Sequence, residues 1–116
     1  MSLAHTFTVG RLRCHTLEAG LQRLDGGAMF GVVPKPLWER AIRPDERNRI
    51  PLAMRCLLIE HPDGLVLVDT GAGDKDDRKF RDIYGLDNAG RHGATQLEDA
   101  LLEAGHRPED VQWVIN

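Results

Sequence analysis

Two apolar runs joined by a short turn constrain this sequence more than any other feature. The runs read LAMRCLLIE and GLVLVDTG, and HPDG connects them with Pro62 at the second position of a type I turn and Gly64 at the fourth. The pattern therefore predicts a β-hairpin. The nearly continuous hydrophobicity of LVLV further predicts that its second strand is covered on both faces. A chain of 116 residues has room for one core at most.

Helical patterns and one more strand follow the hairpin. DKDDRKFRDIYGL carries apolar residues at helical spacing, and TQLEDALLEAGH predicts a helix that begins with a capping box of Thr95 and Glu98 and stops at Gly105. Its apolar face comprises Leu97, Ala100, Leu101 and Ala104. The final VQWVIN alternates in the manner of a strand that begins inside a sheet.

The first 50 residues are less regular. HTFTVGRLRCHTLEAG predicts one or two antiparallel strands with Gly10 at a turn or bulge. Between Leu21 and Pro51, four prolines and paired glycines rule out long regular elements. Long loops of this kind are often functional. The charges of RAIRPDERNR alternate in sign, which is typical of a solvated segment.

Composition excludes several classes of partner. The net charge is −3, and no basic patch is clustered in the sequence, so neither a nucleic acid nor an anionic membrane is expected to bind. No apolar run approaches the roughly 20 residues of a spanning helix. Cys14 and Cys56 are far apart and no secretory leader is visible, which predicts a soluble, cytoplasmic protein with reduced, buried thiols.

Candidate chemistry concentrates in LVLVDTGAGDK, where a buried strand delivers Asp69 to the edge of a sheet. Asp69 can cap its own turn by accepting hydrogen bonds from Gly71 and neighbouring amides. A phosphate loop is disfavoured because the sequence lacks G-x-x-x-x-G-K-[ST]. A retroviral-type aspartic protease would use Asp-Thr-Gly in a catalytic pair, but such enzymes are almost entirely β and carry this motif early.

The combination CLLIEHPDGLVLVDTGAG and TQLEDALLEAGHRPEDVQWVIN resembles the first half of a metallo-β-lactamase-fold hydrolase. The resemblance covers nearly the whole chain from about Phe7 onward, and the middle segment is similar to lactonase-like and esterase-like members. It implies an α+β fold, the αββα sandwich, of which residues 1–116 form the incomplete N-terminal part of a single domain. It also implies that the motif Thr-His-x-His-x-Asp-His follows Asn116, where it would hold one or two zinc ions.

What the resemblance implies for function can be stated residue by residue. The parent would hydrolyse an ester, lactone or related bond of a small molecule with metal-activated water. Asp69, Thr70 and Gly71 would support the metal-site loop. Met29, Phe30 and Trp38 would form walls of the substrate entrance, with core anchoring or a homodimer contact as the alternative.

The five histidines include no His-x-His pair, so this chain alone is predicted to hold no metal and to be inactive. His61 and His106 are expected to be solvent-facing loop residues. The chain would then require the C-terminal half of its own domain. A non-catalytic folding or interaction module remains the second alternative to the hydrolase, beside the aspartic protease.

Overall fold

The predicted hairpin forms the middle of a five-stranded sheet. The computed structural model describes residues 1–116, and its strands are β1 (Ala4–Val9), β2 (Leu12–Asp25), β3 (Arg49–His61), β4 (Gly64–Val68) and β5 (Val111–Ile115). They lie in the order β1-β2-β3-β4-β5. The first three pairs are antiparallel, whereas β4 and β5 are parallel because two helices connect them. The final strand is thus confirmed, although it lies at the edge of the sheet.

Four short helices complete the fold. They are α1 (Gly26–Phe30), α2 (Lys35–Trp38), α3 (Arg78–Ile83) and α4 (Gln96–Glu103), and a 3-10 turn at Pro108–Asp110 precedes β5. The expectation that the middle segment lacks long elements is confirmed between the end of β2 and the start of β3. No helix is long and apolar enough to span a membrane.

The core lies on one face of the sheet. Inward side chains of β2, β3 and β4 pack against α4, and the cluster comprises Leu17, Ala19, Met54, Cys56, Leu58, Leu67, Ala100 and Leu101. Leu17 and Leu58 are fully buried. These residues alternate along their strands, as one covered face requires. Cys14 and Cys56 are both free and buried, as predicted.

The opposite face of the sheet carries a row of apolar side chains beside the ion pair of Glu18 and Arg55, and it lacks a covering layer in this chain. Paired positions across the strands place a row of apolar side chains there, namely Phe7, Cys14, Ile59, Val66 and Trp113. Phe7 and Trp113 are 41% and 47% exposed. The prediction that LVLV is covered on both faces is therefore wrong for this chain, because only Leu67 of that strand is buried.

Helix α4 differs from expectation only at its N-terminal end. Thr95 is the N-terminal cap residue, but its side chain makes no capping hydrogen bond. Glu98 instead accepts from the amide of Ala94 at 2.9 Å, so the predicted capping box is wrong. At the C-terminal end, Gly105 has φ +91° and donates to Leu102, while His106 donates to Leu101. This pair of bonds is a Schellman motif, which confirms the predicted stop.

The charged segment before β3 is more ordered than predicted. Asp45 accepts from Arg49 at 3.0 Å, and both side chains are only 15% exposed. Arg49 also donates to the last carbonyls of α3, at Asp82 and Ile83. Asp45 and Arg49 therefore connect the loop to α3, whereas the other charged residues of the segment are exposed as predicted, namely Arg40, Arg43, Glu46 and Arg47.

Candidate functional site

Asp69 stands directly after β4 in a strained backbone conformation. Its φ is +67°, a left-handed value that few residues other than glycine adopt. The Asp69 amide donates to the carbonyl of Ile115 at 2.7 Å, which extends the β4–β5 pairing by one step. The carboxylate is exposed and accepts from the amide of Thr70 at 2.6 Å. The predicted capping role is thus present, and its donor is Thr70, the neighbour of Gly71.

The loop after Asp69 is held from beneath by buried polar groups. Asn88 is 2% exposed, donates to the carbonyl of Gly73 at 2.7 Å and accepts from Arg81 at 2.7 Å. Gly71 has φ +67°, and a Cβ there would lie 3.2 Å from the Ala19 side chain. The loop therefore runs so close to β2 that a larger residue at position 71 would have to displace it.

A cleft of about 500 Å³ opens beside Asp69. Its walls come from β2, β3, the loop and α3, and include Gln22, Met54, Arg55, Asp76, Phe80 and Tyr84. Phe80 and Tyr84 form a tilted aromatic pair with centroids 4.6 Å apart. An apolar wall with a few charged groups is typical of a small-molecule site.

Cys56 lies under this end of the sheet. Burial raises the pKa of the Cys56 thiol to about 11, and the charge of Asp69 adds to the shift, whereas a hydrogen bond from the Gly71 amide opposes it. The thiol therefore stays protonated at neutral pH. Cys56 acts as a packing residue here rather than as a nucleophile.

The three proposed entrance residues are not equivalent. Trp38 is 3% exposed and stacks on Phe30 with ring centroids 5.2 Å apart. Met29 is 47% exposed and lines a separate cleft that shares Tyr84 with the Asp69 cleft. The burial of Trp38 favours the core-anchor alternative for that residue. Contact of the three with a substrate stays a prediction.

A second group of polar residues lies at the opposite end of the sheet and was missed by sequence reasoning. His15 of β2, Glu60 of β3 and His106 after α4 bring three potential ligand atoms within 4.8 Å of one another. His15 Nε2 lies 2.6 Å from Glu60, and His106 Nε2 lies 3.5 Å from the same carboxylate. His106 is thus not a solvent-facing loop residue, whereas the prediction that this chain alone holds no metal stays a prediction.

The charges around Glu60 favour its ionised form. Burial alone would raise the pKa of Glu60, but the hydrogen bond and charge of His15 outweigh it, and His106 and Arg13 add to the lowering. Arg13 Nε lies 3.4 Å from the carboxylate. The buried imidazole of His15 therefore faces an anion, and its other nitrogen lies 2.8 Å from the Thr6 hydroxyl.

The Asp69 end does not form a metal centre from this chain alone. His15, Glu60 and His106 are the one group of three His, Cys, Asp or Glu side chains with ligand atoms close enough to share an ion. Glu60 pairs with Leu65, four residues before Asp69, so the two places are separated by about 13 Å along β4. A catalytic metal beside Asp69 would need ligands from outside residues 1–116.

Comparison with solved structures identifies the fold. A probable metal-dependent hydrolase from Staphylococcus aureus is 32% identical with a TM-score of 0.78, over 93% of this chain and 38% of that one. AidC, a dizinc quorum-quenching lactonase in complex with a product, is 20% identical with a TM-score of 0.63, over 98% and 36%. AbOPH, a hydrolase in the beta lactamase superfamily, is 13% identical with a TM-score of 0.62, over 98% and 35%.

No protein-family model and no curated protein matches the sequence. The structural similarities confirm that the chain has the fold of an N-terminal segment of the metallo-β-lactamase superfamily. It spans little more than a third of the length of these structures. This mixed α and β fold is not that of an aspartic protease, so the alternative role of Asp69 in a catalytic aspartate pair is not supported.

Proposed function

We propose that this chain is the N-terminal part of a metal-dependent hydrolase that acts on an ester, lactone or related bond of a small molecule. The observation that carries the proposal is the 32% identity, over 93% of this chain, to a probable metal-dependent hydrolase. The lactonase among the similar structures supports the substrate class. One or two zinc ions are the proposed cofactor of the longer protein.

The geometry of β4 and β5 supports this proposal. The strands are parallel, so their carboxyl ends lie at the same edge of the sheet, where ligands of α/β folds commonly bind. Asp69 follows β4, and its amide still pairs with Ile115 of β5. Residues that follow Asn116 would therefore begin beside Asp69 and its cleft. A Thr-His-x-His-x-Asp-His motif there would bring its imidazoles to the missing metal site.

The chain's own residues would shape and support that site. The strained turn of Asp69, Thr70 and Gly71 fixes the direction in which the loop leaves the sheet. The cleft walls Phe80 and Tyr84 would contact the apolar part of a substrate. The apolar outer face of the sheet, with Trp113 half exposed, would be covered by the remainder of the same domain.

The first test is the coding sequence itself. We expect the reading frame to continue past Asn116 with paired histidines in the stated motif. The longer protein should hydrolyse a generic ester or a lactone, lose activity with a chelator and regain it with zinc. A stop codon after Asn116, or a continuation without paired histidines, would reject the proposal in favour of a non-catalytic module.

The second test is Asp69→Asn in the longer protein. Asparagine tolerates a positive φ, so the turn should keep its shape while the carboxylate is lost. Because a supporting carboxylate tunes a metal site through its ligands, we expect metal affinity to fall by about tenfold to a hundredfold, with activity partly restored by added zinc. Asp63→Asn, in the exposed hairpin turn, is the matched control. Unchanged metal affinity in Asp69→Asn would remove Asp69 from the site.

A further inference from the structure

The cluster of His15, Glu60 and His106 has the chemistry of a metal site in its own right. We propose that these three residues bind a divalent transition metal, Zn²⁺ above all, through His15 Nε2, a Glu60 carboxylate oxygen and His106 Nε2. Two imidazoles and one carboxylate are a ligand set that zinc accepts with a fourth position left open. The site joins the end of α4 to β2 and β3, and it is separate from the Asp69 end.

The distances between the ligand atoms fit this assignment. Zinc bonds to nitrogen and oxygen are about 2.0 to 2.2 Å long, so tetrahedral ligands lie about 3.3 Å apart. The observed separations are 2.6 Å from His15 to Glu60 and 3.5 Å from His106 to Glu60. The first contact is to Glu60 Oε2 and the second is to Oε1, and all three ligand atoms lie within 4.8 Å of one another, so side-chain shifts of about an ångström would seat the ion. Binding through Nε2 requires the neutral His15 tautomer that carries its hydrogen on Nδ1, donated to the Thr6 hydroxyl, so that Nε2 is unprotonated and free for the ion.

The fold positions the ligands before any ion arrives. His15 is 1% exposed in β2, with neighbouring strands on both sides, and the Thr6 hydroxyl lies 2.8 Å from its Nδ1. A partner on Nδ1 orients the ring and directs Nε2 to the ion. The Schellman motif at the end of α4 fixes the backbone of His106. The ordering cost of binding is thereby reduced.

Access and charge define which ion would bind. His106 and Glu60 are 22% and 30% exposed, so a water molecule can reach the open position while His15 forms the buried wall. Magnesium and calcium prefer oxygen ligands, and two imidazoles disfavour them. Arg13 lies 3.4 Å from Glu60 and opposes a cation, but its side chain is 63% exposed and free to withdraw. Its removal should therefore tighten binding.

The test uses the 116-residue chain after removal of metal. Cobalt titration should give the intense visible absorption of a tetrahedral site at one equivalent, and zinc should abolish it by competition. Gel filtration followed by elemental analysis should find one zinc per chain. Zinc should also raise the midpoint of thermal unfolding, since a ligand that binds only the folded chain stabilises it.

Variants separate this site from adventitious binding. His106→Gln should weaken zinc binding by more than tenfold, and Thr6→Val, which removes only the hydroxyl beside His15, by about tenfold to a hundredfold. Arg13→Gln should bind zinc more tightly than the wild type. His61→Ala is the control, because His61 follows Glu60 in sequence but bonds only within its own turn. It should leave affinity unchanged.

The contrary results are equally defined. Less than half an equivalent of zinc, absence of the cobalt band, or equal affinity in wild type, His106→Gln and Thr6→Val would overturn the proposal. Circular dichroism should be used to check that each variant is folded. If His106→Gln does not fold, Thr6→Val and Arg13→Gln test the proposal without it. The chain carries no His-x-His pair. The zinc motif proposed for the longer protein therefore lies outside these residues, and zinc binding by this chain does not depend on whether the longer protein is a hydrolase.

Discussion

Replacement of Trp38 by alanine would distinguish a core anchor from a wall of the substrate entrance. Trp38 is 3% exposed, stacks on Phe30 and packs so closely on Gly26 that a Cβ there would lie 2.4 Å from the indole ring. These contacts join α1 and α2 to each other. The side chain therefore contributes to the stability of the segment between β2 and β3.

The expected loss follows from the buried area. A buried tryptophan removes about 150 to 250 Å² from water, worth about 4 to 6 kcal/mol at about 25 cal/mol per Å². Residual compactness of the unfolded chain lowers this to about 3 to 5 kcal/mol, which is also the usual range for removing a large core side chain. Domains are stable by only about 5 to 15 kcal/mol. Trp38→Ala should thus remove a large share of the folding free energy.

The assay is urea unfolding followed by circular dichroism, at a chain concentration below which the midpoint no longer changes. Met29→Ala is the matched control, because Met29 lies in the same segment but is 47% exposed, and its loss should be below about 1 kcal/mol. A loss of less than about 1 kcal/mol in Trp38→Ala would refute the core-anchor assignment and return Trp38 to the entrance.

Three further predictions concern single groups. The pKa of Cys56 is raised from 9.0 to about 11, so its thiolate fraction at pH 8 should be about a hundredfold lower than in the unfolded chain. Alkylation of the Cys56 thiol should therefore be slow until urea is added. Amide hydrogen bonds from Arg91, Gly93 and His92 lower the pKa of Asp99 below its usual value of 3.8. The stability that these bonds provide is therefore present above pH 3.8 and is lost as the pH falls through the pKa of the folded state. Asp99→Asn should therefore lower the urea midpoint at pH 7, and the gap to the wild type should close in acid; a gap that does not change with pH would contradict this. Trp113→Lys combined with Ile115→Lys should reduce self-association of the chain in sedimentation, since both side chains lie on the uncovered apolar face; equal association would place the contact elsewhere.

The hairpin, the last helix and the final strand could be predicted because each rests on local signals. Pro62 and Gly64 define the turn. Gly105 ends α4, because glycine readily adopts the positive φ that this helix end has. The alternation of Val111–Ile115 predicts a strand without reference to its partner. The capping box failed for the same reason, because Thr95 and Glu98 match a local pattern while the actual partner of Glu98 is the Ala94 amide.

The position of Asp69 after a buried strand made it the centre of the predicted site, but its backbone conformation could not be predicted. Its positive φ of +67° has no signal in the sequence, and the sequence predicts only that amides around Gly71 donate to the carboxylate, of which Thr70 is the one that does. The cleft walls could not be inferred either. Phe80 and Tyr84 appear in the sequence as one apolar side of a helix, and only the placement of α3 turns them towards Asp69.

The histidine cluster shows what a sequence leaves undetermined. Its members are 45 and 46 residues apart along the chain, and only the pairing of β2 with β3 brings His15 and Glu60 together, through the neighbouring pairs Arg13 with Glu60 and His15 with Leu58. A shift of one residue in that register would turn either side chain to the opposite face of the sheet. The available signal was the alternation itself, because His15 shares its inward face with Leu17 and Ala19, and Glu60 shares it with Leu58. Polar side chains at inward positions of adjacent strands require a partner, and that requirement is met here by each other and by His106.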